Sequence, residues 1–190
     1  MTSTKLPQGW MSAAERKWLH FLGRGARPRG YAAEVGSWRG RSTTCLLTGF
    51  RGRRLFCVDT WAGTPDDPLQ HERLYAGTTP DGVLKDFRRN LATPLAAGRV
   101  EIVRMTSLEG ARRLRTRLGA GSLEFVFIDA DHRYEAVRAD ILAWLPLVRR
   151  GGMVAGHDFN WEGVGDAVRE LLPAHKQGPD SLWYQTVGAA

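Results

Sequence analysis

The sequence contains little cysteine, no long apolar run and no internal repeat. Its two cysteines, Cys45 and Cys57, lie in segments with the pattern of regular secondary structure, so we expect small buried side chains rather than a disulfide. No apolar run approaches the roughly 20 residues that cross a membrane. Residues 1–20 include four charged side chains and no apolar core segment, unlike a signal peptide. We therefore expect a cytoplasmic protein without a membrane span.

The charge balance is basic but is not concentrated in one segment. The net charge is +7, and the arginines are spread along the chain without aromatic residues between them. This distribution favours solvated helix faces and strand starts over a nucleic-acid surface. With 190 residues, 43% of them hydrophobic, the chain fits one globular domain.

Predicted strands and helices alternate after a first helix. A capping box at Ser12–Glu15 begins that helix, which runs to about Leu22. The apolar run Leu123–Ile128 is typical of a strand buried on both faces. The other predicted strands are Tyr31–Val35, Arg54–Val58, Val100–Val103, Met153–Ala155 and Ser181–Val187, with a short one near Ala174–Lys176. This alternation predicts an α/β fold with a mostly parallel sheet.

The predicted helices lie between these strands. They cover Ser42–Thr48, Pro80–Leu91, Leu108–Leu118 and Val164–Leu172. Val137, Ile141, Trp144, Leu145 and Val148 recur at helical spacing, which predicts a further helix that ends at Gly151-Gly152.

Ligands of such sheets bind beyond the carboxyl ends of the strands. The first strand is followed by Glu34, Gly36, Ser37 and Gly40. A glycine-rich turn that opens a helix suits a nucleoside or dinucleotide, and a tight strand-to-helix turn also needs glycine. The spacing is G-x-x-x-G rather than the G-x-G-x-x-G typical of nicotinamide cofactors.

Polar residues also follow the second and third predicted strands. Asp59 is placed to accept hydrogen bonds from the two hydroxyls of a ribose, and it also suits a turn. Ser107 lies where an adenine could bind, and it suits a helix N-cap equally well.

Acidic and histidine side chains follow the fourth and fifth strands. Asp129, Asp131 and His132 come first, and His157, Asp158 and Asn160 come later. Because neighbouring parallel strands lie about 4.8 Å apart, Asp129 and Asp158 can converge on one point. A divalent cation would relieve the repulsion between them. Alternatively, these acids form a solvated polar rim of the sheet that binds no cation. His132 suits a general base.

The segment Thr60–Thr79 is long and irregular. Such a segment in a compact domain is typical of a lid or binding loop. Its Trp61, His71 and Tyr75 could close over substrates, or they could pack the loop internally.

Together these motifs resemble those of class I methyltransferases that use S-adenosylmethionine (SAM). The matching stretches are E-x-G-x-x-x-G at Glu34–Gly40, VDTW at Val58–Trp61, IDADHRY at Ile128–Tyr134 and GGMVAGHDF at Gly151–Phe159. Within that class, the chain is similar to small bacterial O-methyltransferases of macrolide-sugar and cephalosporin pathways.

The resemblance implies a Rossmann-like sheet of seven strands with helices on both faces and an antiparallel last strand. It implies an N-terminal helix and connector at residues 1–29 and a methyltransferase domain at residues 30–190. The donor would contact Glu34, Gly36, Ser37, Gly40, Ser42, Asp59, Thr60, Ser107 and Asp129. The metal of those relatives, Mg²⁺ or Mn²⁺, would bind Asp129 and Asp158, and Asp129 and His132 would be catalytic. Many metal-dependent relatives have an acid or amide beside the second aspartate, where this chain has His157, which we expect as the third ligand.

We therefore expect methyl transfer from SAM to a hydroxyl of a sugar or another small metabolite, in natural-product biosynthesis. Two alternatives stay open: a nicotinamide-dependent oxidoreductase, and an RNA-directed methyltransferase or binding protein. Trp10 and Trp18, expected on the first helix, offer a surface for a homo-oligomer.

Overall fold

The structure is a computed structural model that describes residues 6–63, 75 and 77–188. The described helices and strands alternate along most of the chain, as expected. The helices are α1 (Ala13–Gly25), α2 (Arg41–Gly49), α3 (Pro80–Asn90), α4 (Ala92–Ala96), α5 (Ser107–Leu118), α6 (Tyr134–Trp144) and α7 (Glu162–Leu171). The strands are β1 (Tyr31–Val35), β2 (Arg54–Asp59), β3 (Val100–Arg104), β4 (Leu123–Ile128), β5 (Val148–Gly156), β6 (Lys176–Gln177) and β7 (Trp183–Thr186).

All seven described strands form one sheet in the order β3-β2-β1-β4-β5-β7-β6. The first five strands pair in parallel, and β7 pairs antiparallel with both β5 and β6. The prediction of a mostly parallel sheet with an antiparallel last strand is therefore confirmed. Because β1 and β4 are neighbours while the chain leaves them in opposite directions, their carboxyl ends form a crevice suited to ligands.

The core lies on both faces of the sheet, because successive side chains of a strand point to opposite sides. Ala33 and Val35 of β1 pack with α5, α6 and α7 on one face. Ala32 packs with α1, α2 and α3 on the other face. Cys45 and Cys57 are free thiols buried in that second layer, so the expectation of two unpaired cysteines is confirmed.

Side-chain caps fix the starts of several helices. Ser12 and Glu15 form the expected capping box of α1. Thr106 and Glu109 form a second capping box at α5, and the side chain of Thr79 caps α3. Each cap satisfies backbone N–H groups that have no partner within the helix.

The prediction of a helix up to Gly151-Gly152 is wrong. Helix α6 ends at Trp144, and a 3₁₀ turn covers Leu145–Leu147. Pro146 has no N–H to donate to the carbonyl four residues before it, so the α-helical hydrogen-bond pattern cannot continue there, although Leu145 keeps helical backbone angles. The two glycines lie inside β5, where the Gly151 N–H donates to the Val187 carbonyl and the Gly152 carbonyl accepts from the Val187 N–H.

Trp10 does not lie on the first helix, contrary to expectation. It precedes α1 and stacks on Trp38, with the ring centroids 4.8 Å apart. Trp18 does lie on α1 and packs against Tyr184. None of the described helices has the length and apolarity that a membrane crossing requires.

Candidate active site

A cavity of about 910 Å³ opens at the carboxyl ends of the strands. Its size is within the range of about 300–1,000 Å³ that is usual for small-molecule sites. The expected site residues on its wall are Gly36, Ser37, Ser42, Asp59, Thr60, Ser107, Asp129, His132, His157 and Asp158. Glu34 and Gly40 are not on the wall. The expectation that ligands bind beyond the carboxyl ends of the strands therefore identified residues of this cavity from the sequence, and only Glu34 and Gly40 of the expected residues lie elsewhere.

Glu34 is fully buried behind the wall, on the side of the sheet that α2 covers. One carboxylate oxygen, Oε2, accepts hydrogen bonds from the hydroxyls of Ser37 and Thr43. Burial raises the pKa of Glu34 to about 7, against the opposing effect of the hydroxyls of Ser42, Thr43 and Ser37. The other oxygen, Oε1, forms no hydrogen bond of acceptable geometry within the described part of the chain.

Glycine is required at Gly36 and at Gly40 for different structural reasons. Gly36 has a φ of 83°, and a Cβ there would lie 1.8 Å from the backbone carbonyl oxygen of Asp129. Gly40 is the N-cap of α2 with a φ of 87°, and a Cβ there would press on Phe87 and Leu91. Gly36 therefore lets β1 and β4 approach each other at the cavity, while Gly40 belongs to the packing behind it.

Asp59 organises the turns around the cavity. Its Oδ2 accepts hydrogen bonds from the backbone N–H groups of Ser37 and Trp38, at 2.9 and 2.8 Å. Its Oδ1 accepts one from the Trp61 N–H at 2.6 Å. Burial raises the pKa of Asp59, and these amides oppose the rise. The Asp59 side chain thus stabilises the turns after β1 and β2, and it also lines the cavity where we expected a ribose.

Ser107 is the first residue of α5, and the N-cap is its neighbour Thr106. The Ser107 hydroxyl accepts a hydrogen bond from Trp144 Nε1 at 2.9 Å. Asp140 of α6 lines the same part of the cavity and is buried. Burial raises the pKa of Asp140 to about 6, which a contact with Ser107 opposes.

Asp129, His132 and Asp158 meet at one point of the cavity. A ligand atom from each lies within 4.8 Å of the others, and they form a group that could hold a metal ion. His132 Nε2 lies 2.9 Å from Asp158 Oδ2. Burial would lower the pKa of His132, but the neighbouring carboxylates outweigh it and raise the pKa. Burial raises the pKa of Asp129 to about 6. Burial would also raise the pKa of Asp158, but contacts with His132 and His157 hold it below its usual range.

His157, the expected third ligand, is not a member of that group. Its Nε2 lies 2.9 Å from Oε1 of Glu15, on α1. Its Nδ1 lies 3.1 Å from Asp158 Oδ2 and 3.7 Å from Asp129 Oδ1. Burial would lower the pKa of His157, but these carboxylates raise it to about 10. The His157 ring thus lies between the carboxylates of Glu15, Asp129 and Asp158, which favour its charged form. The histidine that groups with Asp129 and Asp158 is His132.

Aromatic side chains surround the mouth of the cavity. Trp10, Trp38 and Trp161 all line it, and Trp161 lies against the ring of His132 with centroids 4.7 Å apart. Tyr75 lines it too, whereas Trp61 is fully buried and packs on Phe87. The idea that Trp61 closes over substrates is therefore wrong, and His71 lies outside the described residues.

Several site residues have no signal in the sequence motifs. Glu15 reaches the site from the opposite end of the chain, and its motif indicated only a helix cap. Asp140 lies inside an amphipathic helix, where an acid usually indicates a solvated face. Trp10 and Arg41, which also line the cavity, belong to no motif.

The strand order, the antiparallel last strand and the cavity at the carboxyl ends define a class I methyltransferase fold. Residues 33–159 match the family described as "Methyltransferase domain". The chain belongs to this family, and it is a SAM-dependent methyltransferase of class I. No curated protein sequence matches it.

Solved structures share this fold at low sequence identity. The calicheamicin methyltransferase CalS11 is 19% identical, with a TM-score of 0.68 over 92% of this chain and 78% of that one. TomG from Streptomyces achromogenes, in complex with SAM, is 20% identical, with a TM-score of 0.67 over 95% and 82%. The O-methyltransferase from Bacillus cereus, in complex with SAH, is 21% identical, with a TM-score of 0.64 over 95% and 84%.

Proposed function

We propose that this methyltransferase transfers the methyl group of SAM to a hydroxyl of a small ring-shaped metabolite, a sugar or another hydroxylated ring. The observation that carries the proposal is the meeting of Asp129, His132 and Asp158 on the wall of the cavity that Gly36, Ser37 and Asp59 also line. A base beside two carboxylates suits removal of a proton from an acceptor.

The residues on the donor side fit SAM. Oε1 of fully buried Glu34, which accepts no hydrogen bond of acceptable geometry from the described residues, offers an acceptor to the ammonium of the methionine portion, directly or through water. Ser37 and Ser42 line the adjoining wall and offer hydroxyls. Asp59 and its neighbour Thr60 line the wall where the ribose hydroxyls would lie. Asp140, with Ser107, lies where the adenine amino group would find an acceptor.

Asp129 and Asp158 also suit a divalent cation, because two carboxylates provide the oxygen ligands that Mg²⁺ and Mn²⁺ prefer. His132 lies beside them and keeps its ring nitrogens for proton transfer. A cation held there would lower the pKa of an acceptor hydroxyl. His157 remains on Glu15 in this arrangement and contributes charge rather than a ligand atom.

The side chains of this protein provide positioning and proton transfer. When bound, SAM supplies a methyl group already activated by the sulfonium, so its carbon–sulfur bond breaks and a carbon–oxygen bond forms while sulfur keeps the electron pair. His132 takes the hydroxyl proton at Nδ1, because Nε2 faces Asp158. Asp158 then stabilises the imidazolium, and Asp129 holds the acceptor. Positioning of this kind contributes about 7–11 kcal/mol toward lowering the barrier.

The acceptor class follows from the mouth of the cavity. Trp10, Trp38 and Trp161 present flat faces, which bind the apolar faces of sugars and aromatic rings alike. CalS11 is a TDP-rhamnose 3′-O-methyltransferase of calicheamicin biosynthesis, and TomG is involved in tomaymycin synthesis. These relatives support a role in natural-product biosynthesis.

Incubation with isotope-labelled SAM tests the function. We expect label in TDP-rhamnose or in 3,4-dihydroxybenzoate, and a chelator should remove the activity until Mg²⁺ or Mn²⁺ is restored. Full activity in the presence of the chelator would contradict the proposal that methyl transfer needs a divalent cation. Label in RNA but in neither small molecule would contradict the acceptor class.

A further inference from the structure

Glu15 uses its two carboxylate oxygens for different purposes. Oε2 accepts a hydrogen bond from the Ser12 N–H at 2.8 Å, which completes the capping box of α1. Oε1 faces away from the helix end toward the cavity residues. It lies 2.9 Å from His157 Nε2 and accepts hydrogen bonds from the Ser181 hydroxyl and N–H at 2.9 and 3.2 Å. A capping box alone needs only Oε2, so Oε1 has a purpose that the cap does not explain.

Helix α1 is docked firmly enough to hold this oxygen in place. It crosses α2 at two glycines, where the backbones touch. A Cβ on Gly49 would lie 1.9 Å from the His20 carbonyl oxygen, and one on Gly23 would lie 2.5 Å from that of Leu46. Because glycine lets the two backbones approach so closely, the position of Glu15 is fixed by packing and not only by its own hydrogen bonds.

The contact with Glu15 determines the rotation of the His157 ring. Nε2 faces Glu15, and Nδ1 faces Asp158 and Asp129. A half-turn of the ring would place carbon atoms opposite these carboxylates. The backbone on both sides of the ring is also held, because the His157 N–H donates to the Ile128 carbonyl and its carbonyl accepts from Trp183 Nε1.

Asp158 depends on that ring for its own position. Its backbone has a φ of 57°, in the left-handed region, which costs a residue other than glycine about 1–3 kcal/mol. Its Oδ2 is shared between His132 at 2.9 Å and His157 at 3.1 Å. If the ring of His157 turned, Asp158 would lose one of these two contacts and Asp129 would lose the Nδ1 atom that lies 3.7 Å from its Oδ1.

We propose that Glu15 is a positioning residue for methyl transfer, which acts through His157 to hold Asp129 and Asp158 in place. The proposal rests on the proposed function of those aspartates. It also makes the N-terminal helix part of the catalytic unit, rather than an extension before a domain that begins at residue 30.

Kinetics of four variants test this role: Glu15→Ala, Glu15→Gln, His157→Ala and the double alanine variant. We expect Glu15→Ala to lower kcat about 10–100-fold, the usual cost of a misplaced catalytic group, with an unchanged Kd for SAH. The double variant should be no slower than His157→Ala, because Glu15 acts through His157. Glu15→Gln, which keeps an acceptor oxygen, should recover part of the loss.

Ser12→Ala is the matched control. It removes the hydroxyl that accepts from the Glu15 N–H and donates to Asp180 Oδ2, and it leaves both the Ser12 N–H bond to Glu15 and the contact between Glu15 and His157. It should lower the melting temperature as Glu15→Ala does and leave kcat within about twofold, since a lost cap costs only stability. Equal losses of kcat in Ser12→Ala and Glu15→Ala, or effects that multiply in the double variant, would overturn the proposal.

Nuclear magnetic resonance of protein with ¹⁵N-labelled histidine needs no acceptor. The Nε2–H signal of His157 should be protected from exchange in wild type and Ser12→Ala, and lost in Glu15→Ala. If wild type methylates neither probe, the proposed function fails, and the ring signal still decides whether Glu15 holds His157. A protected signal in Glu15→Ala would contradict the positioning role.

Discussion

His132 is the residue that separates donor binding from chemistry. We expect His132→Ala to lower turnover about 10²-fold or more, the usual contribution of a general base, and to leave the Kd for SAH unchanged. Steady-state kinetics and calorimetry measure the two quantities. His20→Ala is the control, since His20 bonds to Thr48 on the surface of α1 and α2. Unchanged turnover in His132→Ala would exclude it as the base.

Glu34 makes stability depend on pH in a predictable direction. Its pKa is about 7 in the folded protein and 4.5 in a model peptide. Between these values the folded protein keeps a proton that the unfolded chain loses, so the free energy of unfolding falls as pH rises through this window. The full loss is about 3 kcal/mol.

Glu34→Gln should abolish this contribution, because an amide does not titrate. Urea unfolding at about pH 5 and about pH 8 measures it as the difference between wild type and variant. Wild type should lose stability relative to the variant at the higher pH. An equal difference at both pH values would show that Glu34 is ionised in the folded protein throughout.

Among the elements of the fold, the turn between β1 and α2 should be sensitive to any side chain added at Gly36. Gly36→Ala should destabilise the protein by more than about 2 kcal/mol, because the new Cβ would collide with the Asp129 backbone and φ is positive. Gly98→Ala is the control: its φ is 66° and nothing lies within 4 Å of the added Cβ, so only the backbone strain of about 1 kcal/mol applies.

Urea unfolding compares these two variants. Equal losses of stability would show that backbone strain, and not the close approach of β1 and β4, explains Gly36.

Local patterns predicted most elements because each carries its own signal. Continuous apolar runs identified β4, and the capping box identified α1. The end of α6 could not be predicted from periodicity, because apolar spacing continues through Leu145 and Val148 into a strand. Pro146, which lacks the N–H that an α-helix needs at that position, was the signal that marked the boundary.

At the scale of the whole molecule, the strand-end rule explains which site residues the sequence could predict. Asp59 ends β2, and Asp129 and Asp158 follow β4 and β5, in a sheet whose strand order places these ends together. Glu15 reaches His157, and Trp10 reaches the cavity wall, through the docking of α1 and the segment before it, which no local pattern encodes. His157 follows a strand as well, but its Nε2 faces Glu15 on α1, which the strand-end pattern does not predict.

Donor binding tests the central claim that this cavity is a SAM site. Isothermal titration calorimetry of the wild-type protein with SAH and with NAD, in parallel, is the most direct measurement. We expect saturable binding of SAH and none of NAD, together with loss of SAH binding in Asp59→Ala. Binding of NAD alone, or no heat and no rise in melting temperature at millimolar SAH, would contradict it.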